Sequence, residues 1–214
     1  MKTEYTDTYT AVDGEPAVER HPLEPFLPVG ARVLMLGSFP PPRQRWSMDF
    51  YYPNFQNDMW RILGLLFYGD KLHFVDAPHK RFDCYRVVRF CTEHGIAIFD
   101  TATAVRRLKA NASDKFLEVV EPTDVAALLR RIPDCRAVVV TGEKAAETVL
   151  LSLADASHSV PRIGSYENFG FEGRQMQLWR MPSSSRAYPV ALEKKAEYYG
   201  RMFSEIGLLQ QEYV

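Results

Sequence analysis

Four short apolar runs constrain this chain most: VLML at 33–36, IAIF at 96–99, AVVV at 137–140 and MQLWRM at 176–181. Their length and their β-branched or bulky residues suit buried strands. Between them lie stretches whose apolar residues recur at helical spacing. Over about 57–68, Met59, Ile62, Leu63 and Leu66 fall on one face, and about 80–93 reads as a second helix closed by Gly95. With Thr123 as N-cap, Val125, Leu128, Leu129 and Ile132 share one face of a third, and two more helices run over about 143–154 and 189–206. Strands that alternate with helices pair in parallel, and the helices then cover both faces of the sheet. The expected fold is α/β: a three-layer α/β/α sandwich around a central, mostly parallel four-stranded sheet.

The chain of 214 residues is long enough for one sizeable core, and residues 28–214 read as a single domain. Residues 1–27 are acidic, broken by Gly14, Pro16, Pro22 and Pro25, and without apolar period. They read as an extended leader wrapped on the domain, with no part in catalysis. With 46% hydrophobic and 25% charged residues the composition is that of a soluble globular protein, and no apolar run could span a bilayer. The region after Met1 lacks a signal pattern, so the expected location is the cytoplasm, on the nucleoid if the source is prokaryotic. Cys84, Cys91 and Cys135 lack metal-ligand spacing and read as reduced core thiols. His21, His73, His79, His94 and His158 are scattered, so no metal is expected. NAS at 111–113 matches a glycosylation sequon that has no meaning in the cytoplasm. A net charge of −1 argues against bulk attraction to nucleic acid but allows a local basic face.

In an open parallel sheet, ligands bind outside the carboxyl ends of the strands. The segments leaving those ends are 37–57, 100–103 (DTAT), 141–144 (TGEK) and 182–188 (PSSSRAY). In GSFPPP, Gly37 permits close backbone approach, and the prolines stiffen a loop whose Ser38 and Phe39 N–H groups can meet an anion or a carbonyl. The same residues also suit a plain stiff connection. Dinucleotide and P-loop fingerprints are absent. Tyr51 and Tyr52 offer rings for stacking or for the core. Asn57 stands where a helix begins; it is either an N-cap or an amide that orients water and reads a base edge. Asp100 ends a strand, placed for catalysis or for capping a helix. Pro182, Ser183, Ser184, Ser185 and Arg186 suit phosphate contacts, or a turn and a cap.

VLMLGSFPPP followed by YYPNFQNDMWRIL resembles the first motif of the uracil-DNA glycosylase superfamily. There a Gly-x-x-Pro loop precedes an aromatic and an N-x-F-W helix start, here Asn57-Asp58-Met59-Trp60. GIAIFDTAT, VEPTDVAALLRRIPDCRAVVVTGEKAAE and MPSSSRAYPVALEKKAEYYGRMF continue the likeness in order, from about Pro22 to Leu208. The pattern is most similar to the hypoxanthine (deoxyinosine) DNA glycosylase branch, with the mismatch-specific uracil glycosylases behind it. The resemblance implies a monofunctional enzyme that flips hypoxanthine, and behind it uracil, out of damaged DNA, duplex or single-stranded. It would hydrolyse the N-glycosidic bond in base excision repair as a monomer without cofactor.

By the same resemblance, Gly37, Ser38, Phe39, Pro40 and Thr141 border the base and Tyr52 stacks on it. Asn57 is the catalytic amide; Asp100, by its own place at a strand end, is the alternative water-positioning group. Pro182 to Ala187 form the minor-groove loop; Arg43, Arg45 and Arg186, in loops assigned to the same sheet edge, are expected to hold phosphates. The chain departs from the uracil branch at Phe39, where those enzymes carry Asn. Thr141 replaces a frequent amide, Pro41 a Gly, and Tyr188 stands near the place of a missing Asn. The competing reading is a protein of the same fold that binds DNA or nucleotides without catalysis.

Overall fold

The structure, a computed structural model, describes residues 16–108, 116–152 and 160–209. The first fifteen residues of the leader, the sequon and His158 lie outside the described residues. In chain order the elements are β1 (Val18–Arg20), β2 (Val33–Gly37), α1 (Met59–Tyr68), β3 (Val75–Asp76), β4 (Arg81–Phe82), α2 (Cys84–His94), β5 (Ile96–Asp100), β6 (Ala102–Arg107) and β7 (Leu117–Pro122). Then follow α3 (Val125–Arg131), β8 (Ala137–Thr141), α4 (Glu143–Ser152), β9 (Ser165–Phe171), β10 (Arg174–Met181) and α5 (Leu192–Glu205).

Every residue of β2, β5 and β8 is buried. Such strands are covered on both faces, which is why they appear as unbroken apolar runs rather than alternating ones. The main sheet has the order β5-β2-β8-β10-β9, with β5, β2, β8 and β10 parallel. It has five strands, not the expected four: β9 adds an antiparallel edge to β10 through a turn at Glu172 and Gly173, both at positive φ. Only Phe169 of its seven residues is buried, so an exposed edge strand lacks the apolar signal that announced the others.

A second sheet, β1-β6-β7, is antiparallel throughout. DTAT is therefore not a loop. Thr101 alone separates β5 from β6, and its N–H donates to Gly37 O at 2.8 Å. Helix starts also move. Residues 81–82 form a strand paired with β3, and α2 begins at Cys84, capped by the Asp83 carboxylate on the Arg86 N–H. Gly95 closes α2 at φ 64° as expected. Asp124 rather than Thr123 caps α3, accepting from the Ala127 N–H, while the Thr123 hydroxyl donates to Asp100 O at 2.7 Å and fastens the end of β5. Helix α1 packs against α5, α2 against β5 and α4 against β8. No helix among the described residues is long and apolar enough to cross a membrane.

Candidate active site

Strand register decides what meets what. Gly37 lies opposite Asp100 across β2 and β5, Leu36 opposite Val140 across β2 and β8, and Thr141 opposite Met181 across β8 and β10. The four parallel strands thus end almost level, and the segments that leave them enclose one cavity. Gly37, Ser38, Phe39, Pro40, Tyr52 and Thr141 all line it, with Asn57, Asp100 and Ser183 to Ser185. Pro182 and the three arginines of the sequence reading do not line it.

Gly37 serves a different purpose from the backbone approach inferred from sequence. A Cβ there would stand 2.3 Å from Asp100 Oδ1, so the glycine makes room for a carboxylate. Asp100 caps no helix. Its Oδ2 lies 2.9 Å from His21 Nε2, and its Oδ1 has no hydrogen-bond partner among the described residues. The His21 ring is only 3% exposed, edge-on to Phe39 at 5.3 Å and tilted over Phe99 at 4.7 Å. Its Nδ1 lies 2.8 Å from Leu23 O and 3.1 Å from Leu23 N. A neutral ring accepts from that N–H while Nε2–H donates to Asp100; an imidazolium donates to both oxygens. Either state leaves Asp100 an acceptor with a fixed orientation.

Sequence reasoning missed His21. Its position depends on β1 pairing with β6 and on the His21 N–H donating to Thr103 O, contacts with residues about eighty positions away. The sole local signal, a histidine beside Pro22, is too common to read.

The tyrosine pair divides its labour. Tyr51 turns into the core and donates its hydroxyl to Glu24 O at 2.7 Å; burial, then the nearby Asp100 charge, push its pKa far up. Tyr52 lines the cavity at φ 49°, a strained backbone for a bulky residue. Its hydroxyl lies 3.2 Å from Thr141 Oγ1, and Trp60 stands edge-on to its ring.

Asn57 stands one residue before Asp58, the N-cap of α1. The Asn57 Oδ1 accepts from the N–H of Met59, the first residue of α1, at 2.8 Å, and this donor identifies the amide oxygen. Its Nδ2 has no hydrogen-bond partner among the described residues, leaving a donor for the cavity. The Ser-rich loop is pinned beside it. Asn57 bridges Ser185, Asp58 N–H donates to Ser184 O, and Tyr199 donates to Pro182 O. Beneath the loop, the buried Asp58 carboxylate accepts from Arg186 Nε and Lys195 Nζ, both at 3.0 Å, and Lys195 also donates to Ser185 O. Asp58 and Lys195 carried no motif; buried ion pairs made by residues 137 apart leave none.

Arg43 and Arg45 sit on a short 3₁₀ turn, exposed, with Arg43 paired to Asp49. Cys91 and Cys135 are buried and Cys84 half-buried, all free; burial pushes the Cys135 thiol up to about 11 and Cys91 higher still.

No family model and no curated protein matches this chain. Among solved structures its fold is similar to the solution NMR structure of a "putative Uracil DNA glycosylase from Methanosarcina acetivorans". The TM-score is 0.57 at 20% identity, over 88% of this chain and 98% of that one. At that identity the likeness is one of fold.

Proposed function

We propose that the protein is a monofunctional DNA glycosylase that removes a deaminated base, hypoxanthine ahead of uracil, from DNA. The observation that carries this reading is a single cavity at the strand ends holding a flat aromatic wall (Tyr52), a hydrogen-bond donor (Asn57 Nδ2) and an oriented carboxylate (Asp100). Resemblance of the flanking motifs and likeness of fold support it.

The base must leave the stack before it can enter, at a cost of about a few kcal/mol that is smallest for mispaired bases. Deamination replaces an exocyclic amino donor by a carbonyl acceptor. With its oxygen committed to the Met59 N–H, Asn57 offers only a donor, which suits the carbonyl that deamination creates in hypoxanthine or uracil and finds no acceptor in the amino group that adenine or cytosine carries at that position. As the N-glycosidic bond lengthens, negative charge moves onto the base and positive charge onto the sugar. Asn57 stabilises the first and Asp100 the second, interactions that strengthen in the transition state. Asp100 Oδ1 then accepts a proton from the water that adds to the sugar carbon, while His21 keeps Oδ2 in place.

Labelled duplexes containing inosine or uracil, treated with alkali after incubation, test the proposal. Hypoxanthine should be released faster than uracil, with no strand breaks before alkali. Binding to both duplexes without any base release would reduce the protein to a recognition module.

A further inference from the structure

On the far side of the Ser-rich loop lies a second hollow, lined by Arg61, Lys71, Arg186 and Lys195 with Asp58 as its single carboxylate. Four cations against one anion leave an excess of three positive charges, in a chain whose net charge is −1. Both oxygens of Asp58 are already engaged, one by Arg186 Nε and one by Lys195 Nζ. Lys71 stands 3.7 Å from Glu193, an exposed pair of little strength.

Arg61 is the unusual member. It is 6% exposed and makes no carboxylate ion pair among the described residues, although the Asp58 charge lies near enough to act on it. One terminal nitrogen donates to Phe55 O at 2.8 Å and Asn57 O at 3.1 Å, and the guanidinium lies over the rings of Phe55 and Phe82. Its remaining N–H groups have no acceptor among the described residues, nor do the terminal nitrogens of Arg186. Burial, and next repulsion from the Arg186 charge, lower the Arg61 pKa, and the attraction of Asp58 offsets only part of this. An anion in the hollow would relieve that repulsion and take up these donors. Planar guanidinium groups match tetrahedral oxyanions in particular.

The position of the hollow indicates whose anion it is. Asn57 lines the base cavity and Asp58 lines the hollow; Ser185 lines the first and Arg186 the second. Neighbouring Cα atoms are about 3.8 Å apart, so only the Asn57–Ser185 seam divides the two. The two hollows are neighbours across that seam, within reach of a single strand.

We propose that the hollow is a phosphate-binding subsite for the DNA strand whose base enters the cavity, with Arg61, Lys71 and Arg186 as its donors and Lys195 as a fixed charge behind them. The proposal rests on the glycosylase reading, and its test avoids catalysis.

Binding is measured to a duplex holding a tetrahydrofuran abasic analogue, which cannot be turned over, across a range of salt. The proteins compared are the wild type, a Lys71→Gln/Arg186→Gln double variant that alters two half-exposed side chains, and Arg61→Gln, with unfolding midpoints recorded for each. Loss of one phosphate contact should lower the steepness of log K against log salt by roughly 0.9. That decrease in the double variant, present also in Arg61→Gln if it folds, is the expected result. An equal slope in wild type and double variant would overturn the subsite, whether or not the wild type releases base. Inorganic phosphate that raises the wild-type midpoint and not the double variant's, with equal DNA slopes, would overturn the strand as its source. A reduced slope in a protein that releases no base would keep the subsite and remove the glycosylase reading.

Discussion

Asp100 depends on its immediate neighbours. Gly37 leaves space for one carboxylate oxygen and His21 holds the other. Gly37→Ala would press a methyl into Asp100 Oδ1, and the carboxylate must swing away; base release should fall while urea stability changes little, since the movement is local. His21→Gln retains a donor and should keep a larger share of the rate than His21→Ala, a contrast that a packing role alone would not produce. Equal rates for the two variants would show that the histidine merely fills space. Sequence placed Gly37 and Asp100 at level strand ends because both close apolar runs. It did not place His21, because that position exists only once β1 has paired.

At the scale of elements, the seam between α1 and the Ser-rich loop rests on one buried ion pair. Breaking such a pair by removing one partner costs about 3–5 kcal/mol, because the other charge stays buried alone. Lys195→Met should therefore lower the urea unfolding free energy by that order and loosen the loop, readable as faster amide exchange at Ser184 and Ser185. A variant as stable as the wild type would mean that Asp58 is satisfied by Arg186 alone. The same scale shows where the sequence was readable. Strands β2, β5 and β8 were visible because burial on both faces forces an unbroken apolar run, and the main helices because each has one apolar face. Strand β9 was hidden by its exposure, and β6 because small alternating residues, Ala102 and Ala104 among them, resemble a polar loop.

For the whole molecule, the described part of the N-terminal segment, residues 16–27, reaches the cavity. It supplies β1, His21 and, through Leu23, part of the cavity wall. Removing residues 1–27 should abolish base release even where the remainder stays folded, as circular dichroism would report. The core thiols give a second test of the packing. With Cys135 raised to about 11 and Cys91 further, both remain protonated at pH 8 and should react with a thiol reagent only after unfolding. Their unfolded pKa is near 8.5, so the unfolded chain loses these protons first as pH rises. Their contribution to stability is thus intact below about pH 8 and declines above it.

The claim that one cavity holds both a donor for the leaving base and an acceptor for water is tested most directly by single-turnover release of hypoxanthine from an inosine duplex. The comparison sets the wild type against Asn57→Ala and Asp100→Asn, each confirmed as folded. Losing the donor should slow release by about a hundredfold to a thousandfold, and losing the acceptor by about a hundredfold to ten-thousandfold. The lost bond from the Met59 N–H to Asn57 costs only about 1 kcal/mol of stability, so the fold should persist. Wild-type rates from either folded variant would contradict the assignment of that residue, and wild-type rates from both would place the chemistry outside this cavity.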